Sequence, residues 1–223
     1  MFRGRRVAPA YLPCVSQEHT GNGKWCGCAT ASNGDVYCCP RGVGSLLVIQ
    51  PSGKNFAYVN LPAPVMSLLS SFSHTTFDTG FDGFVAAMGG KFYFAPVIEG
   101  WKHDYGHFRH YLSSSSRDRM PLEAFDREPS AFVLIFDPET QSFSHIVKTV
   151  PGLESCRGVT FGGAADGGNG KIYCPPGNGN FVAVINTCQE DVTFMTGVGR
   201  ATLNNKWTGI ELARDGYTPR SCL

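Results

Sequence analysis

Three of the six histidines fall within eight residues, at His103, His107 and His110, among Trp101, Tyr105, Phe108, Arg109 and Tyr111. On a helix this i, i+4, i+7 spacing would put three imidazoles on one face, a metal-binding arrangement. Gly106 weakens such a helix, and no glutamate follows His103 to act as the general base of a zinc protease. The segment reads instead as an aromatic-rich surface loop folded over a sheet edge. Loops on rigid scaffolds carry much of a protein's binding chemistry. Trp101, His103, His107, Arg109 and His110 are therefore the candidate contacts for a partner or ligand. The serine-rich run that follows, residues 113–116 before Arg117, Asp118 and Arg119, reads as exposed chain.

The nine cysteines are Cys14, Cys26, Cys28, Cys38, Cys39, Cys156, Cys174, Cys188 and Cys222, an odd number that leaves at least one thiol unpaired within a monomer. Cys26, Cys28, Cys38 and Cys39 have the look of a four-thiolate zinc site. Successive residues of a strand point to opposite faces, so Cys38 and Cys39 cannot easily ligate one metal. If the hairpin between them turns on two residues, Cys28 lies opposite Cys39, where the pair could form a disulfide or share a metal. Cysteine is also a small buried hydrophobe, and Cys38 and Cys174 occupy a repeat position that Phe94 fills elsewhere. That interchange points to packing, so no metal and no cofactor are expected.

Other motifs point to turns. The glycine-rich stretch 162–170 lacks the Lys-Ser/Thr ending and following helix of a phosphate-binding loop. No Gly-x-Ser-x-Gly elbow occurs, and His19, His74 and His145 have no triad context. Asp78, Asp82, Asp137, Asp166 and Asp215 recur near turns, where Asp bonds to nearby backbone. No catalytic residue is assigned.

Composition narrows the class. Apolar residues make up 42% of the 223, enough for a core, while charged residues are only 17%. The 27 glycines and 14 prolines exceed average usage and imply many turns between short strands. A net charge of +1 gives no field favouring nucleic acid or an anionic membrane. No leader-like run opens the chain and no stretch of 18 apolar residues occurs, so a cytoplasmic protein is the expectation.

What must position these residues is an internal repeat. Lys24-Trp25-Cys26-Gly27, Asn33-Gly34-Asp35-Val36-Tyr37-Cys38, Leu46-Leu47-Val48-Ile49 and Phe56-Ala57-Tyr58-Val59 recur in order. The second copy has Phe81-Asp82-Gly83, Gly90-Lys91-Phe92-Tyr93-Phe94, Phe132-Val133-Leu134-Ile135-Phe136 and Phe143-Ser144-His145-Ile146. The third has Cys156-Arg157-Gly158, Asn169-Gly170-Lys171-Ile172-Tyr173-Cys174, Val182-Ala183-Val184-Ile185 and Val192-Thr193-Phe194. A fourth begins at Trp207-Thr208-Gly209 and loses its frame after Gly216. Tyr37 to Ile49 and Tyr173 to Ile185 are both 12 residues, whereas Tyr93 to Ile135 is 42, an insertion of 30.

Asn-Gly between apolar runs is a strong hairpin signal. A two-residue turn would set Ala31 opposite Val36, Ala29 opposite Cys38 and Gly27 opposite Pro40. It would also put Val85 and Ala87 on the face of Phe92 and Phe94. The third strand of each copy is apolar on both faces, so it must be buried on both sides, as stacked blades require. With aligned glycines at 27, 83, 158 and 209, the period is that of a four-stranded propeller blade.

The Trp-x-Gly, Asn-Gly-Lys-Ile-Tyr and Val-x-Val-Ile elements resemble Kelch-like and lactonase-like propeller repeats over residues 22–217. The predicted fold class is all-β: a β-propeller-like array of four-stranded blades, three complete and a partial fourth, in a ring that is incomplete unless residues 1–20 close it. Residues 1–21 form an N-terminal segment, a closing strand or tail, and 22–223 the repeat domain with an insertion at about 97–130. The expected function is a non-catalytic scaffold binding a protein or small ligand. A propeller hydrolase or lactonase-like enzyme, or a fragment of a longer propeller, are the alternatives. Open blade edges favour self-association. Sedimentation of the isolated chain should show dimers or larger species; a sharp monomer boundary with a cooperative melt would contradict an open ring.

Overall fold

The computed structural model of the chain describes residues 24–41, 43–72, 81, 83–87, 89–98, 130–149, 161–177, 180–197, 209–212 and 219–222. The histidine-rich segment with Trp101, His103, His107, Arg109 and His110, and residues 1–21, lie outside these.

The first blade is an antiparallel meander of β1 (Trp25–Thr30), β2 (Val36–Pro40), β3 (Ser45–Gln50) and β4 (Asn55–Asn60), paired in that order. The second holds β5 (Phe84–Ala86), β6 (Phe92–Phe94), β7 (Val97–Ile98), β8 (Ser130–Asp137) and β9 (Ser142–Thr149). There β6 and β7 are one strand broken at Ala95-Pro96, because both pair with β8 and the register slips by one between them. Proline cannot donate to the ladder, which accounts for the break. The third blade is β10 (Ala165–Asp166), β11 (Lys171–Cys174), β12 (Phe181–Asn186) and β13 (Asp191–Thr196), again in sequential order. Gly209–Leu212 (β14) and Pro219–Cys222 (β15) pair as a two-stranded sheet, the partial fourth copy.

The first strands of the copies are neighbours in turn: β1 beside β5, β5 beside β10, β10 beside β14. Glycines line this approach, which is tightest between the second and third blades. A Cβ on Gly27 would sit 3.8 Å from the Gly83 Cα, and one on Gly83 would sit 3.2 Å from the Gly163 Cα. Gly163 thus takes the third place in this column, while Gly158, assigned there from spacing, lies outside the described residues.

Blade faces meet in two apolar layers. Between the first and second blades lie Tyr37, Leu46, Val48, Phe81, Phe84, Phe92, Phe94, Phe132, Leu134 and Phe136, an aromatic-rich layer. Its rings interlock, with centroids of Tyr37–Phe92 at 5.1 Å and Phe81–Phe94 at 4.9 Å, separations that favour offset or tilted aromatic pairs. Tyr93, Ala95, Val133, Ile135, Ile172, Phe181 and Ile185 fill the layer between the second and third blades. The alternate residues of β8 therefore enter different layers, and both its faces are dry, as expected from its unbroken apolar run.

Two expectations change. The hairpin loops hold three residues, not two. The N–H of Ala31 donates to the Asp35 carbonyl at 2.9 Å and that of Gly34 to Ala31 at 3.0 Å; Ala87, Gly90 and Lys91 repeat the pattern. Gly34, Gly90 and Gly170 all have positive φ (86°, 79° and 75°), as the last residue of such a loop requires. The pairs shift accordingly: Thr30 faces Val36, Ala29 faces Tyr37 and Ala86 faces Phe92. Val85 and Ala87 thus belong with Tyr93 in the second layer, away from Phe92 and Phe94. Tyr37 pairs with Val48, Tyr93 with Ile135 and Tyr173 with Val184, so the insertion is one residue longer than the spacing implied.

The second change is a helix, α1 (Ala63–Phe72), between the first two blades. Pro64 sits in its first turn, where the missing N–H costs nothing. Val65 and Leu69, one turn apart, are buried in the aromatic layer, and Met66 lies over Gly44.

Gly34→Ala should lose about 1–2 kcal/mol to left-handed strain, lowering Tm by about 2–4 °C per kcal/mol. Gly89→Ala, at a position with ordinary φ and open space, should leave Tm within error. Equal melting curves for the two variants would contradict the loop geometry.

Candidate functional site

The densest chemistry among the described residues lies on β1 and β2. Gly27, at φ 60°, bulges from β1, so the register slips between Cys26 and Cys28. Cys26 then faces Cys39 and Cys28 faces Cys38. The expected Cys28–Cys39 pair is corrected: the three-residue loop moves the register by one and sets Cys28 opposite Cys38, and the bulge moves it by one more beyond Cys28, setting Cys26 opposite Cys39. Strand alternation holds: Cys39 enters the aromatic layer, while Cys38 lies on the opposite face of the blade.

Cys28 is exposed and Cys38 buried. Burial, then a hydrogen bond and the charge of Cys28, push the Cys38 thiol up to about 12. Cys26 donates through Sγ to the Phe81 carbonyl at 3.0 Å, and Cys39 to that of Pro40 at 3.8 Å. Cys174, buried at the position equivalent to Cys38 and Phe94, has its thiol pushed up by burial. Among the described residues no three His, Cys, Asp or Glu side chains come together as a metal site.

The carboxylates and amides at the blade ends are occupied with their own turns. Asp137 Oδ1 accepts the N–H groups of Glu139 and Thr140 at 2.9 and 3.3 Å. Desolvation pushes its carboxyl up, but these donors and Lys91 outweigh that and hold it below its ordinary value. Asn186 Oδ1 accepts from Cys188 and Gln189 at 3.1 and 3.0 Å, at the equivalent corner of the third blade. Asp166 accepts from Gly168 at 2.9 Å, and Asn33 from Asp35 at 2.9 Å.

Among the described residues, two ion pairs cross between the second and third blades. Lys148 Nζ lies 2.6 Å from Asp191 Oδ1, joining β9 to β13, and Lys91 lies 3.8 Å from Glu190. They are partly exposed, so each adds little stability. Nothing in the sequence flagged them, because their partners are 43 and 99 residues apart. The phenols of Tyr37 and Tyr93 are pushed up, first by burial and then by Asp35 in the one case and by Glu190 and Cys188 in the other.

Sequential four-stranded meanders, stacked face to face with their first strands side by side, define a β-propeller-type protein. The solved structures most informative here share that architecture. One is virginiamycin B lyase from Staphylococcus aureus, with a TM-score of 0.50 at 13% identity over 85% of this chain and 45% of the lyase. Another is the hydrazine synthase of Kuenenia stuttgartiensis, with a TM-score of 0.52 at 10% identity over 95% of this chain and 45% of the other. The chain spans less than half the length of either, and the likeness is one of fold. No protein-family model and no curated protein matches the sequence. No helix among the described residues is long and apolar enough to cross a membrane.

The thiols give a pH dependence. Cys38 rises from about 9 to about 12 on folding, so its contribution to stability is complete below the unfolded value. It is lost as pH climbs through the window between those two values, since the unfolded chain ionises first. Tm should hold flat from pH 6 to 8 and fall above about pH 9, and the fall should be shallower in Cys38→Ala and Cys174→Ala. A Tm that rises with pH in this range would contradict the assignment.

Proposed function

We propose that this chain is a non-catalytic propeller-type scaffold that binds a protein or a small ligand. The observation that carries this reading is the use made of its Asp and Asn side chains. Asp137, Asp166, Asn33 and Asn186 spend their acceptors on backbone N–H groups of their own turns. Such groups build corners and are not left pointing at a substrate. The short Kelch-like and lactonase-like elements give the blades a scaffold's regularity without specifying a reaction.

The contact surface in this reading is the insertion between β7 and β8, with Trp101, His103, His107, Arg109 and His110. It hangs from the doubly buried second blade, a rigid base for a binding loop. A cytoplasmic setting fits Cys28, Cys38, Cys174 and Cys188, which carry free thiols.

The competing reading is a lactonase-like hydrolase. The intact chain should show no turnover of a panel of lactones and aryl esters above the buffer rate. A photo-crosslinker placed at position 101 should give discrete adducts in extract of the source cells, lost when the five candidate contacts are changed to Ala. Ester or lactone turnover that is removed by a substitution in β1, β5 or β10 would overturn the scaffold reading in favour of the enzyme.

A further inference from the structure

We propose that Cys28 and Cys38 are a thiol–disulfide pair, oxidised reversibly by a small-molecule disulfide to a cross-strand bond in the first blade. The two residues are direct partners in the antiparallel β1–β2 ladder. Their place in that ladder follows from its turn. Ala31 donates its N–H to Asp35, and bonded and open positions alternate along an antiparallel pair. Ala29–Tyr37 is then a bonded position, and Thr30–Val36 and Cys28–Cys38 are open ones. At an open position the Cα atoms approach to about 4.5 Å, inside the roughly 4.4–6.8 Å that a disulfide spans. The Cys28 thiol is close enough to help push the Cys38 thiol up, second to burial.

The neighbouring pair does not share these properties. Arg41 donates its N–H to Lys24 at 2.9 Å, which makes Cys26–Cys39 a bonded position with Cα atoms about 5.5 Å apart. Both of its thiols donate to carbonyl groups elsewhere, Cys26 to Phe81 and Cys39 to Pro40. Of the four cysteines on these strands, Cys26 and Cys39 share the face that packs into the aromatic layer, and Cys28 and Cys38 share the other, where Cys28 is exposed.

The asymmetry of exposure sets the order of events. Cys28 is exposed and is the sulfur an incoming disulfide RSSR can reach. Its thiolate attacks one sulfur of RSSR; the S–S bond breaks, RS⁻ leaves and takes up a proton, and a mixed disulfide remains on Cys28. Cys38 then loses its proton, attacks the Cys28 sulfur and releases the second RSH. Two protein thiols are oxidised to one disulfide and one RSSR is reduced to two thiols. Because Cys38 is buried, its deprotonation makes this second step the slower one.

The test uses the full chain and oxidised glutathione. After incubation, remaining thiols are blocked with an alkylating reagent, and the protein is cut with trypsin and at Asp35 without reduction. The expected product links the fragment ending at Gly34 to the one beginning at Asp35, with alkyl label on Cys26 and Cys39. Cys26→Ser should retain the link, and Cys28→Ser should lose it. In Cys38→Ser, glutathione should stay on Cys28 as the mixed disulfide. Because Cys28 is exposed, its serine variant is expected to fold, which keeps the outcome decisive if the Cys38 variant does not. Glutathione alone on Cys28 in the unsubstituted chain, or a link that persists in Cys28→Ser, would overturn the proposal.

Discussion

A four-stranded sheet with two apolar faces has no stable existence alone in water, and the second blade is such a sheet. Phe132, Leu134 and Phe136 of β8 enter one layer while Val133 and Ile135 enter the other. Each face needs a covering sheet, which makes the first and third blades a requirement of the second. Burial of large aromatic and aliphatic side chains stabilises by about 1.5–3 kcal/mol apiece. The rest follows from bringing sheets face to face: first strands side by side, glycines where backbones cross, and ion pairs across the outer edges.

The two layers are built differently. Seven aromatic side chains, Tyr37, Phe81, Phe84, Phe92, Phe94, Phe132 and Phe136, fill the layer between the first and second blades. The next mixes Ala95, Ala131 and Ala183 with Ile and Val and, among the described residues, buries the aromatics Tyr93, Phe161 and Phe181. The first layer also receives α1, whose Val65 and Leu69 are buried in it.

The repeat was legible in the sequence because its signals are local. A Gly-bounded loop, an apolar strand and a polar corner recur within each blade, so the blade count and the two-faced third strand could be read directly. The register could not. Asn33-Gly34 serves a two-residue loop and a three-residue loop equally well, and only the Ala31–Asp35 bond separates them. That single residue decided which side chains share a face, and with the bulge at Gly27 it decided which cysteines meet. The helix was hidden for a different reason: Pro62 and Pro64 read as turn residues, and the run between them and Phe72 is short and serine-rich. Of the candidate site, the histidine-rich segment was found by composition alone, while the thiol arrangement needed the ladder.

Each blade also turns its last corner in the same way. Lys54, Gln141 and Glu190 close the four-residue loops between third and fourth strands, at φ 49°, 53° and 48°. These are the positive-φ residues other than glycine among those described, and they stand at equivalent places although their side chains share nothing but length and polarity. Left-handed backbone costs such residues about 1–2 kcal/mol. The three copies thus carry different residues at this corner and the same strained conformation. The blades share the backbone path of the corner, and in none of the three does glycine, the residue that would suit that path best, stand there.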